Sequence, residues 1–163
     1  MSDDAEEEGL PLFEFAGGRQ AIRRLAAAQY RRCLTDPVLV EIFGINSRPE
    51  HVEHLADWLT EVLGGDRLYT ERHGGHEALL RHHAGLRIDE RHRARFVQAF
   101  MEAADEVSLP RDERFRRRLL DYLEWGSKIA QDVSRPGASI SAGQPVPVWG
   151  WGPEGPPGRA TPP

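Results

Sequence analysis

Apolar residues recur along most of this chain at the three-to-four-residue spacing of a helix, and no stretch shows the strict alternation of a strand. From Gly18 to Leu34 one stripe carries Ile22, Leu25, Ala26, Gln29, Tyr30 and Cys33. Thr35-Asp36-Pro37 predicts a short helix with Asp36 as its N-cap and Pro37 at its first position, ending near Phe43-Gly44. The next helix opens at Ser47 or Arg48, runs through Val52, Leu55, Leu59 and Val62, and stops at Gly64-Gly65. A brief helix is predicted over about 76–83. Asp89 caps another, whose buried face is His92, Phe96, Ala99, Phe100, Ala103 and Val107. After Pro110 a last helix carries Phe115, Leu119, Tyr122, Leu123, Ile129, Ala130 and Val133. No internal repeat is visible. The pattern predicts one all-α domain with short connections over residues 10–134.

Both ends fall outside this periodicity. Residues 1–9 read as a solvated acidic arm, Met1-Ser2-Asp3-Asp4-Ala5-Glu6-Glu7-Glu8. From residue 135 to 163 Gly and Pro dominate, which stops helices and predicts a disordered tail dispensable for the domain. That tail nevertheless carries Trp149 and Trp151. If it docks instead, one of those indoles is the expected anchor, because an indole buries the most apolar area available there.

At 163 residues, with 29% charged and 39% hydrophobic residues, the chain fits one globular domain. A net charge of −5 argues against nucleic-acid partners. No apolar run reaches the roughly 18 residues of a membrane span, and the acidic start is not expected to act as a secretory leader. The single Cys33 cannot form an internal disulfide, which points to a reducing compartment, the cytoplasm.

Chemistry concentrates in the seven histidines, at 51, 54, 73, 76, 82, 83 and 92. His51 and His54 lie three apart on one helix, but one Cys in the whole chain leaves a structural zinc site without its usual ligands. His82 and His83 are adjacent and therefore diverge by about 100° on a helix, one inward and one outward. Nucleophile elbows, phosphate loops and dinucleotide fingerprints are absent. The most informative stretch begins at Gly64-Gly65-Asp66-Arg67-Leu68-Tyr69. It continues through Leu79-Leu80-Arg81-His82-His83-Ala84-Gly85-Leu86-Arg87-Ile88, where a short helix ends on a histidine that can offer one ring nitrogen to a metal.

In order and spacing, these pieces resemble the group II truncated haemoglobins over about residues 10–133. Phe15-Ala16-Gly17-Gly18 matches the glycine pair before the second helix, and Tyr30, thirteen positions after Gly17, matches the distal tyrosine. Phe43 matches the aromatic wedged against the haem, and His51, Leu55 and Leu59 fall on the distal helix. Gly64-Gly65 and Tyr69 match the corner, His83 the proximal iron ligand, and Leu120-Asp121-Tyr122-Leu123 the final helix. The resemblance implies a two-over-two helical sandwich around haem b, with iron held by His83. Phe43, Leu55 and Phe96 would form apolar walls, while Tyr69, Arg81 and Arg87 are candidates to meet the haem propionates. O2, NO or CO would bind opposite His83, with Tyr30 and His51 as hydrogen-bond donors.

Two departures alter that picture. The family commonly has a Trp where Phe96 stands, and often a small residue where His51 stands. One donor is lost from one wall and another is supplied from the opposite one. The implied function is reversible O2 binding. The alternatives are haem redox chemistry, as NO dioxygenation or peroxide turnover with His51 as acid and base, and a haem-free interaction protein using its Trp-bearing tail. A reductase and a second copy of the chain are the implied protein partners.

Overall fold

The computed structural model describes residues 9–152. Most of the acidic arm, and the end of the tail from residue 153, lie outside the described residues. Among the described residues there are helices and no strand. In chain order they are α1 (Leu12–Phe15), α2 (Gly18–Thr35), α3 (Val40–Phe43), α4 (His51–Val62), α5 (Leu68–His73), α6 (Gly75–His83), α7 (Glu90–Glu106) and α8 (Glu113–Val133).

The start of α2 depends on glycine. Gly17 has φ of +116°, and a Cβ there would approach that of Ala21 to 2.9 Å, so only glycine lets the chain turn this closely into the helix. Asp36 caps the turn leading to α3 by accepting from the amides of Val38 and Leu39 at 2.8 and 3.2 Å. Asp89 opens α7 with a reciprocal cap: its carboxylate accepts from the His92 amide at 3.0 Å, while the Asp89 amide donates to His92 Nδ1 at 3.1 Å. Asp112 caps α8 through the Phe115 amide at 2.8 Å.

Two layers result. α2 lies on α4 in one layer, α7 pairs with α8 in the other, and α2 crosses α7 to join them. Ile22, Leu25, Ala26, Leu59, Val62, Phe100, Phe115 and Leu119 are fully or almost fully buried between the layers. The expected two-over-two sandwich is therefore present. α5 packs on α4, and α6 leans on α8.

The tail corrects the expectation drawn from its composition. Residues 146–151 have no regular secondary structure, yet they lie against the domain. Trp149 is 3% exposed, and its amide donates to the Val62 carbonyl at 2.7 Å. Trp151 meets Phe15 edge-on at 5.0 Å and donates its indole N–H to the Leu10 carbonyl at 2.7 Å. Pro and Gly content reports poverty of burial on average. Two indoles, each able to bury roughly 150–250 Å², outweigh it locally.

Candidate functional site

A cavity of about 260 Å³ opens between α2, α4, α6, α7 and α8. Close-packed interiors leave voids scarcely larger than a water molecule, so a space of this size inside a small domain is reserved for something. Its walls are mainly apolar.

One wall is the end of α6. His83 Nδ1 lies 2.8 Å from the Leu79 carbonyl oxygen one turn earlier. A carbonyl can only accept, so Nδ1 carries the proton and Nε2 keeps its lone pair. Burial lowers the affinity of this ring for a second proton, with the Leu79 hydrogen bond opposing in part, so the imidazole stays neutral. His83 lines the cavity and is only partly exposed; the adjacent His82 also borders the cavity but is exposed, the divergence expected of neighbours on a helix.

A second wall is assembled from α2, α3, α4 and α7. The Tyr30 and His51 rings stack at 4.3 Å with 16° between their planes. Phe43 meets His51 edge-on at 5.7 Å and lies parallel to Phe96 at 6.1 Å. The Tyr30 hydroxyl accepts from the Arg48 amide at 3.0 Å and donates weakly to the Arg48 carbonyl at 3.4 Å. His51 is pushed down to about 4, chiefly by burial and further by His54, His83 and Arg48, so it is neutral at pH 7.

Seven of the nine residues expected at the site line this cavity: Tyr30, Phe43, His51, Leu55, Tyr69, His83 and Phe96. Arg81 does not. Its guanidinium points to solvent and meets Glu77 at 3.4 Å, one turn back on the same face of α6. Tyr69 reaches the cavity from inside rather than at its rim. It is 2% exposed, packed edge-on to Trp58 at 5.3 Å, and burial pushes its hydroxyl up to about 12. Arg87 is exposed and outside the lining.

Several lining residues escaped the sequence reading. Trp58 donates its indole N–H to the Tyr122 hydroxyl at 2.6 Å, closing one side of the cavity. A signal for it existed: residues 51, 55 and 58 follow the i, i+4, i+7 rule, so Trp58 shares a face with His51 and Leu55. Gln29 is wholly buried beside the cavity, donating Nε2 to the Phe96 carbonyl at 3.3 Å while its Oε1 has no partner. His54, His76 and Trp125 complete the rim.

Comparison with known proteins decides the family. A family model described as bacterial-like globin matches residues 11–125. The chain belongs to the bacterial-like globins. The group II truncated haemoglobin of Bacillus anthracis superposes with a TM-score of 0.68 at 25% identity, covering 80% of this chain and 98% of that one. A thermostable haemoglobin from the actinobacterium Thermobifida fusca gives 0.66 at 28% identity, with 77% and 100% covered. The truncated oxygen-avid haemoglobin of Bacillus subtilis gives 0.65 at 26% identity, with 77% and 100% covered. The resemblance to truncated haemoglobins drawn from the sequence is thus established, and a globin of this family implies a haem cofactor. The cavity fits such a group: an apolar slot, with a neutral imidazole at one wall whose outer nitrogen is free to ligate. No helix among the described residues is long and apolar enough to cross a membrane.

Proposed function

We propose that this globin holds haem b in the cavity, with His83 as the one protein ligand to iron, and reversibly binds O2 on the opposite side. NO and CO would share that position. The observation that carries this reading is the His83 ring, fixed by the Leu79 carbonyl at 2.8 Å so that its lone pair faces a reserved apolar space. When bound, haem supplies a ferrous iron at which a diatomic molecule can be held.

The chain's own residues supply the rest. Phe43, Leu55 and Phe96 exclude water from the face opposite His83. Tyr30 holds the Arg48 amide through a hydroxyl lone pair, and its own proton makes only the 3.4 Å contact, so that proton can rotate toward a ligand oxygen carrying negative charge. His51, neutral and stacked on Tyr30, keeps one ring N–H as a second donor. Phe96 contributes area and no donor. The buried free Cys33 supports a reducing setting such as the cytoplasm, where a reductase partner would keep the iron ferrous.

A second reading, peroxide turnover, is favoured by one observation. Arg48 lines the cavity beside His51, so a neutral imidazole able to take a proton stands next to a cation able to steady a developing anion. Absorption spectra of the purified protein, oxidised, reduced, and reduced under O2 and CO, test the first reading. The expected outcome is a stable, reversible spectrum under O2 and a distinct one under CO. Rapid bleaching or oxidation under O2, with fast turnover of added peroxide, would favour the second.

A further inference from the structure

We propose that residues 145–152 form a strap that is a working part of the cavity, with Trp149 acting through Tyr122 as a positioning residue for Trp58. The proposal rests on the haem-binding reading above and extends it to a segment beyond the matched globin region, which ends at residue 125. The three solved relatives are covered over 98–100% of their own length, yet they account for only 77–80% of this chain.

The strap bridges the two helices that close this side of the cavity. Its amide at Trp149 donates to the carbonyl of Val62, the last residue of α4, at 2.7 Å. On the α8 side, Arg118 Nε donates to the Gly150 carbonyl at 2.7 Å, and the same guanidinium lies 4.7 Å from the Trp149 ring centroid. Arg114 donates to the Trp151 carbonyl at 3.2 Å. Trp149 therefore sits buried behind two cavity-lining residues of α8, edge-on to Tyr122 at 6.0 Å and to Trp125 at 5.9 Å. Tyr122 passes the constraint on: its hydroxyl accepts from Trp58 Nε1 at 2.6 Å, and both rings line the cavity. Trp58 in turn packs edge-on to Tyr69 and stacks with His76 at 5.9 Å. A chain of packed rings thus runs without a gap from the strap to the wall. Moving Trp149 frees Tyr122 and releases the end of α4 together.

The test uses the full-length chain carrying Trp149→Ala, Trp149→Phe or Tyr122→Phe. Three readouts are followed: haem loss to an excess of haem-free myoglobin, the nitrogen-15 signal of the Trp58 indole in the CO-bound ferrous form, and the thermal midpoint. Trp149→Ala should shift the Trp58 signal and speed haem loss by about threefold to thirtyfold, the span of couplings carried through packed side chains. Trp149→Phe, which keeps an aromatic ring against Tyr122, should recover most of both. Tyr122→Phe should move the Trp58 signal with the strap left in place. If Trp149→Ala does not fold, the two conservative variants still decide. A lowered thermal midpoint with an unmoved Trp58 signal and unchanged haem loss would overturn the proposal and leave the strap a stabilising appendage. Failure of the full chain to take up haem would overturn the haem reading instead, and a Trp58 signal that follows Trp149 in the haem-free chain would still support the link.

Discussion

The two faces of the cavity are built on different principles. The His83 face is local: one ring, oriented by a carbonyl four residues earlier on the same short helix. The Tyr30 face is assembled from four helices, and none of its rings is fixed by its own helix alone. Tyr30 is held by the backbone of Arg48, His51 by stacking on Tyr30, and Phe43 by lying against Phe96. A face built from one helical turn needs only the correct register. A face built from tertiary contacts can be retuned one side chain at a time, and the Phe96 and His51 departures lie there. All-or-none behaviour is therefore expected of the first face and graded behaviour of the second.

The largest effect should come from His83→Ala, which removes the cavity imidazole that the Leu79 carbonyl orients. Haem should be lost from the purified protein, while His82→Ala, altering an exposed ring, leaves haem content unchanged. Equal haem content in both variants would break the comparison. Next come Tyr30→Phe and His51→Ala. Loss of a hydrogen bond to a charged oxygen is worth roughly 1.5–3 kcal/mol, so each should speed O2 release about tenfold to a hundredfold in stopped-flow measurements. Because both donors serve one ligand and their rings are stacked, the double variant should fall short of the product. Unchanged release in both would remove them as ligand donors.

The same helix that carries His51 anchors itself from behind through Asp57. This carboxylate is 2% exposed and meets Arg19 at 2.6 Å and His73 at 2.7 Å. Burial alone would raise its affinity for a proton, but the hydrogen bonds from His73 and Arg19 outweigh that and hold it below the ordinary Asp range. Its pKa is lower folded than unfolded. The stabilisation is therefore complete at neutral pH and disappears as pH falls below the ordinary carboxylate range. Asp57→Asn should cost about 2 kcal/mol near pH 7, less than a fully buried pair because Arg19 retains solvent contact. The difference from wild type should shrink on acidification when thermal midpoints are measured against pH. A constant difference across that range would contradict the assignment.

How much of this was legible in advance follows the same division. Helices with a clear stripe, start or stop signal are readable: α2 from its apolar stripe, α6 with His83 at its end, α7 from its Asp89 cap and α8 after Pro110. α4 starts at His51, three or four residues later than predicted, because residues 48–50 form a turn whose backbone instead serves the Tyr30 hydroxyl. The short helices α1 and α5 passed unseen, since four and six residues cannot display a period. The propionate role of Arg81 comes from the resemblance alone, and its side chain lies exposed beside Glu77, outside the cavity lining. The docking of Trp149 depends on Arg118, Tyr122 and Val62, distant in sequence, and a composition argument cannot reach it.

The smallest effect sharpens the graded face further. Phe96→Trp would restore an indole N–H beside Phe43, and slower O2 release by a few-fold is expected, about 1 kcal/mol for one added neutral donor. Faster release would mean that steric crowding against Phe43 outweighs the new hydrogen bond.

The most direct test of the central claim is chemical replacement of the His83 ring. His83→Gly should give protein whose ferrous absorption spectrum departs from wild type and returns to it when free imidazole is added, with His82→Gly indistinguishable from wild type throughout. A wild-type ferrous spectrum from His83→Gly without imidazole, or its loss in His82→Gly, would contradict the account.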